Sequence, residues 1–234
     1  MAHVLDLNYY KMIKTSVKLI SLLLLLNYAN CELNFKCADI LSSLKTYAFV
    51  TSLKCKSNTP IGAGLESIAY VVISHEEGKD VERVLKVAKA HTIKTEDDPE
   101  ILYLKKLEGV ESVVKLYAVH SIVLDGKSYL AEVLEYAENA DLQQMLKKEP
   151  DSFVSDDGLL YLFKKLALGL KAIHNKNIIH TSIKAQNVII DGNRRPMYID
   201  FNNAVKNGDT MPSRGDHMCN APEVPQDRNE SIKW

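Results

Sequence analysis

Two short stretches of this chain gather side chains that can do chemistry. The first is His180-Thr181-Ser182-Ile183-Lys184-Ala185-Gln186-Asn187, and the second is Ile199-Asp200-Phe201-Asn202. Together they offer a hydroxyl at Ser182, a cation at Lys184, an amide at Asn187 and a carboxylate at Asp200. A serine hydroxyl is neutral near pH 7 and a poor base unless a partner activates it. Upstream, Ile61-Gly62-Ala63-Gly64 precedes the apolar run Ile68-Ala69-Tyr70. Glycines there let a strand-turn-strand backbone approach phosphates without a Cβ clash. Gly-x-Gly alone also fits an ordinary hairpin. Lys86 follows Val84-Leu85, and Glu100 opens the next helical pattern. A lysine held by a carboxylate stays charged and aimed instead of swinging in solvent. The competing reading of these two residues is a surface ion pair.

In this order the residues resemble the protein kinase family. Its catalytic loop reads His-Arg-Asp-x-Lys-x-x-Asn, and its metal-binding turn reads Asp-Phe-Gly. His180, Lys184, Asn187, Asp200 and Phe201 match. Ser182 stands where the family has its catalytic aspartate, Thr181 where it has arginine, and Asn202 where it has glycine. The resemblance implies ATP and Mg2+ as cofactors, with Asn187 and Asp200 as metal ligands and Lys184 steadying the γ-phosphate, as in serine/threonine-type members. It implies a nucleotide cradle of Gly62, Gly64, Ala69, Ile189 and Lys86, the last paired with Glu100. Ser67 replaces the third glycine of that loop, and Lys89 is a rival lysine read as solvated. Leu134 would be the gatekeeper, the backbone of Glu135 and Ala137 would face the adenine edge, and Asp141 would reach the ribose hydroxyls. Leu104, Leu116, His180 and Phe201 match the stacked residues that couple the two lobes. Ala221-Pro222-Glu223 matches the end of the activation segment.

Ser182 in the base position implies a catalytically impaired or inactive kinase, a pseudokinase that binds ATP and serves as a regulatory or binding module. The alternative is a weakly active serine/threonine kinase that transfers the γ-phosphate to protein hydroxyls. A third reading is a degenerate fold with neither property. A protein partner or substrate is expected, of unspecified identity.

Hydrophobic periodicity supplies the elements that position these groups. Residues 68–74 and 83–88 read as a strand pair closed at Gly78. Asp97-Asp98-Pro99-Glu100 opens a helix whose apolar face is Ile101, Leu104 and Leu107. Residues 113–119 and 128–134 read as strands joined through Asp125-Gly126. Asp141 caps a helix over 142–148, and residues 159–174 form a longer one. Short strands flank Asp191-Gly192-Asn193. Residues 32–56 suggest a short helix and a first strand, and residues 206–234 read as irregular. Strands first and helices second make an α+β, two-lobed arrangement. The expected fold is protein-kinase-like, with a β-rich first lobe and a partial helical second lobe. By the resemblance, the domain occupies 32–234 and stops short at its C-terminus, which leaves apolar surface of helix 159–174 uncovered.

The hydrophobic fraction is 46% and the formal net charge is -1. Those values fit a packed globular protein and give no basic surplus for nucleic-acid binding. Lys14 and Lys18 precede the apolar run 19–26, with small residues at Ala29 and Cys31. This reads as a secretory signal peptide over 1–31, with Met12 as an alternative start, and so as a secreted protein without a stable membrane span. The alternative is anchoring by an uncleaved leader. The four cysteines show no metal-binding spacing and read as free buried thiols.

Overall fold

The computed structural model describes residues 35–44, 53–63, 67–88, 98–149, 156–211 and 232–233. The leader, Gly64, Lys89 and the Ala221-Pro222-Glu223 motif lie outside them.

The first lobe is built on a hairpin. Strand β3 (Ser67–Glu76) pairs along its full length with β4 (Lys79–Ala88). The two residues between them, Glu77 and Gly78, both have positive φ, at 49° and 79°. That is the two-residue turn whose twist matches antiparallel strands. A second such turn, Asp125-Gly126 with φ of 49° and 72°, joins β5 (Leu116–Leu124) to β6 (Lys127–Glu135). With β1 (Lys54–Cys55) and β2 (Gly62–Ala63), the strands form one antiparallel sheet. Its order is β1-β3-β4-β6-β5, and β2 also lies on β3.

Helix α1 (Cys37–Leu44) buries Cys37, Ile40, Leu41 and Leu44, and Ser43 Oγ donates to the Val123 carbonyl of β5 at 3.1 Å. Cys37 and Cys55 form a disulfide with Cα atoms 6.0 Å apart. This corrects the expectation of free thiols. Eighteen positions of intervening chain encode no distance, and only the docking of α1 beside β1 brings the two sulfurs together.

Helix α2 (Pro99–Lys106) begins where expected. Asp98 caps it by accepting the Glu100 N–H at 3.0 Å. Strand β5 starts at Leu116 instead of Val113. Residues 112–114 pair instead with the second lobe: Tyr198 N donates to Ser112 O at 2.9 Å, and Val114 N donates to Tyr198 O at 3.1 Å. Their backbone groups are thus satisfied away from the sheet.

The second lobe holds α3 (Leu142–Lys148), α4 (Asp156–His174), β7 (Ile178–Ile179), a 3-10 turn (Ala185–Asn187), β8 (Val188–Ile190), β9 (Pro196–Tyr198) and β10 (Val205–Lys206). Short strands β11 (Thr210–Met211) and β12 (Ile232–Lys233) pair within the stretch read as irregular. The core between the lobes joins Leu104, Leu107, Val113, Leu134, Ile173 and Phe201. Gly169 lets α4 approach this junction closely. A Cβ there would sit 2.6 Å from the Ser112 Cβ and 3.1 Å from the Tyr198 ring. On its other side α4 exposes Leu159, Leu160, Phe163 and Leu168. Among the described residues, no helix is long and apolar enough to cross a membrane. The architecture is α+β, a β-rich lobe followed by a helical one.

Candidate functional site

Strand register assembles the upper half of the site. Gly62 pairs with Ala69, Ala69 with Lys86, and Lys86 with Glu132, so four neighbouring strands contribute adjacent residues. Lys86 Nζ lies 2.6 and 2.7 Å from the two oxygens of Glu100 on α2. The Glu100 side chain is 2% exposed and that of Lys86 13%. This decides against the surface-pair reading, because solvent cannot screen a pair so enclosed. A second carboxylate faces the lysine: Glu132 Oε2 is 4.0 Å from Nζ, and the Glu132 side chain is fully buried. Burial alone would lower the Lys86 pKa, but Glu100, Glu132 and Asp200 outweigh it, and the pKa ends above the usual lysine value.

Glu132 is absent from the sequence-based candidates. Its signal was a lone charge in the apolar strand Leu130-Ala131-Glu132-Val133-Leu134.

The connection between lobes carries Glu135 and Ala137. Glu135 N donates to Lys115 O at 2.9 Å, and its carboxylate accepts from Arg195 Nη2 at 2.8 Å. Arg195 also reaches Glu111 O and the Asp191 carboxylate. Burial raises the Asp191 pKa, but the bonds from Arg195 more than offset that and hold it below the usual carboxylate range. Asp141 caps α3 by accepting the Gln144 N–H at 2.9 Å, and its other oxygen accepts from the Gln144 amide. Both oxygens are therefore engaged within α3. Asp141 also bridges to Ile189, which brings those two candidates together on the lower side.

The loop from His180 to Asn187 is held by internal bonds. His180 pairs with the Ile199 carbonyl through Nε2 at 2.9 Å, and its Nδ1 accepts the Ser182 N–H at 3.3 Å. One ring nitrogen donates and the other accepts, which requires a neutral imidazole. Burial pushes the His180 pKa down, in agreement. The ring also packs on Phe201, with centroids 4.5 Å apart. Thr181 has a φ of 62°, a strained conformation for a β-branched residue, and its hydroxyl donates to Asn203 O at 2.7 Å. Asn187 Nδ2 donates to both Ser182 O and Ser182 Oγ, at 2.9 and 3.0 Å. Its Oδ1 is then the atom left to meet a cation. Lys184 stands just before the 3-10 turn, half-buried.

Asp200 also has positive φ, at 66°, and Asn202 Nδ2 donates to its Oδ1 at 2.7 Å. The asparagine that replaces glycine in the motif thus holds the carboxylate directly. Mg2+ is commonly bound through one or two protein oxygens, with waters and substrate phosphates completing the octahedron. Asp200 Oδ2 and Asn187 Oδ1 make a donor set that fits this habit. Among the described residues, no group of three His, Cys, Asp or Glu side chains is placed to hold a metal unaided.

Comparison with known proteins agrees with this geometry. The family model described as "Protein kinase domain" matches residues 55–233, well over half of the chain. Serine/threonine-protein kinase Nek5 of Mus musculus is 27% identical over 182 residues, covering 74% of this chain and 28% of the relative. Serine/threonine-protein kinase mph1 of Schizosaccharomyces pombe is 26% identical over 180 residues, covering 72% and 26%. RasGEF domain-containing serine/threonine-protein kinase X of Dictyostelium discoideum is 30% identical over 178 residues, covering 71% and 17%. The chain spans less than a third of the length of these relatives.

Proposed function

Because the chain belongs to the protein kinase family, we propose that it is a nucleotide-binding pseudokinase that acts as a regulatory or binding module toward a protein partner. One observation carries this reading. At the place of the catalytic base stands Ser182, whose hydroxyl accepts from Asn187. The adjacent imidazole cannot activate it, since His180 Nδ1 already accepts the Ser182 N–H and its Nε2 bonds the Ile199 carbonyl. A neutral hydroxyl so placed does not draw a proton from a substrate alcohol.

Nucleotide binding rests on the groups that remain. Lys86, held by Glu100, would meet the α- and β-phosphates, and Asp200 with Asn187 would hold Mg2+. When bound, the metal would neutralise phosphate charge. Gly62 and Ala69 would cover the nucleotide, the backbone of Glu135 and Ala137 would meet the base, and Ile189 would support it from below. Phosphoryl transfer depends largely on positioning and charge stabilisation, so retention of these groups favours residual transfer as the second reading.

The disulfide supports a location in the secretory pathway, since such bonds persist in oxidising compartments. Cleavage of the leader after residue 31 would release the domain, and retention would anchor it.

The test has two arms. Thermal shift with ATP, with and without Mg2+, should show a metal-dependent stabilisation. Radiolabelled transfer to a generic basic protein should show none above background. Robust turnover defeats the pseudokinase reading, and absence of any shift at millimolar nucleotide defeats nucleotide binding.

A further inference from the structure

We propose that Thr181 is a positioning residue for the divalent cation: its hydroxyl latches the turn that carries Asp200 onto the loop that carries Asn187. The inference rests on the nucleotide-binding reading and deepens it. The two candidate metal ligands lie on separate segments, residues 180–187 and 199–203. His180 Nε2 pairs with the Ile199 carbonyl at 2.9 Å, and Ile199 N donates to Asn187 O at 3.0 Å. Both of these bonds meet the turn just before Asp200. The bond from Thr181 Oγ1 to Asn203 O, at 2.7 Å, meets it on the other side. Asp200 is thus held from both sides, and Thr181 reaches it from the later one.

The backbone carries the mark of this constraint. Thr181 and Asp200 both lie in the left-handed region, with φ of 62° and 66°, and neither is glycine. Such a conformation persists only where the surroundings over-determine it, and a β-branched residue adopts it least readily. The bond to Asn203 O offsets part of that strain at Thr181. Without the hydroxyl, residue 181 would relax toward the ordinary regions. Its relaxation would carry along Ser182, whose carbonyl and hydroxyl hold the Asn187 amide at 2.9 and 3.0 Å. The Asn203 end of the turn would lose its tie at the same moment. A cation would then have to order both ligands as it binds. Mg2+ demands near-ideal octahedral geometry, so its affinity is sensitive to that spacing. The base would meet Ala69 and the backbone of Glu135 and Ala137, which lie on other segments, so its binding should not change.

Calorimetric titration of the full chain with adenosine, with ATP plus EDTA and with ATP plus Mg2+ tests this. The readout is the gain in ATP affinity that Mg2+ brings. Thr181→Val keeps the shape and removes the hydroxyl, and Thr181→Ser keeps the hydroxyl. Thr181→Gly removes the hydroxyl and relieves the left-handed strain, in case Thr181→Val does not fold. Thr181→Val and Thr181→Gly should each cut the gain about tenfold, Thr181→Ser should keep it, and adenosine affinity should stay the same in all three. An unmoved gain in Thr181→Val or Thr181→Gly overturns the proposal and leaves the nucleotide-binding reading standing. Loss of the gain in Thr181→Ser overturns it as well, because the hydroxyl would not be the group that acts. Equal weakening of adenosine also overturns it, because that marks a general loosening of the cleft. If the unmodified chain binds adenosine but Mg2+ brings no gain, the proposal falls together with the metal half of the reading. If neither ligand binds any form, the nucleotide-binding reading falls with it.

Discussion

Replacing Lys86 by methionine should destabilise this protein more than the loss of a nucleotide contact suggests. The substitution removes the cation facing both Glu100, at 2.6 Å, and Glu132, at 4.0 Å, and leaves two enclosed carboxylates opposite each other. At 4 Å and an effective dielectric near 20, a unit pair interacts by about 4 kcal/mol. Desolvation opposes that gain while the pair is intact, but removing one partner of a buried pair typically costs about 3–5 kcal/mol. In a domain of this size each kcal/mol is worth roughly 2–4 °C, so the midpoint should fall by about 10 °C or more. Thermal and urea unfolding of the wild type, Lys86→Met, Glu132→Leu and the double variant measure the shift and the free energies. The double variant should recover at least about 1 kcal/mol relative to Lys86→Met, because one of the two enclosed carboxyl groups has been removed. A Lys86→Met protein within about 1 kcal/mol of wild type, or a cycle with no coupling, would refute the argument. It would mean that water reaches these carboxylates.

Four further outcomes follow from other parts of the molecule. Gly169→Ala should destabilise by about 1–3 kcal/mol in urea, because the added Cβ meets the Ser112 Cβ at 2.6 Å and outweighs a helix-propensity gain of about 1 kcal/mol. Cys37→Ser with Cys55→Ser should cost about 3 kcal/mol from loop closure over 18 positions, and dithiothreitol should lower wild-type stability but not that of the variant. Asp200→Ala should abolish the Mg2+-dependent part of any nucleotide-induced thermal shift, with any metal-independent part surviving. The lowered pKa of His180 means that the unfolded chain binds the proton first. Its contribution is whole above about pH 6.5 and is lost as pH falls from there toward the folded value, so the urea midpoint should drop on acidification and His180→Phe should flatten the drop.

Local patterns made much of the fold legible. Period-two apolar runs and the turn residues Gly78 and Asp125-Gly126 marked the two hairpins. Helix α2 starts within the expected segment and Asp141 caps α3 as expected, since a helix start is set by contacts between residues two or three positions apart. What escaped depends on distant partners. The disulfide needed the placement of α1 against the sheet. The late start of β5 followed from competition with Tyr198, some eighty positions away, for the backbone of residues 112–114. At the site, the motif residues stood out by type. The weight of Glu132 emerged only from strand register, and the hold of Asn202 on Asp200 only from the turn of the backbone.

The bonding of residues 112–114 to Tyr198 has a mechanical consequence. It clamps the chain just after α2 to the second lobe, and Arg195 ties the nearby Glu111 carbonyl to Glu135 at the other crossing between lobes. Both crossings between the lobes are thus tied to the second lobe by hydrogen bonds. Sliding of one lobe past the other would require breaking the two backbone bonds at Tyr198 and the side-chain bonds of Arg195 together. A force applied to the sheet would therefore be passed to the second lobe through residues 112–114 and Arg195.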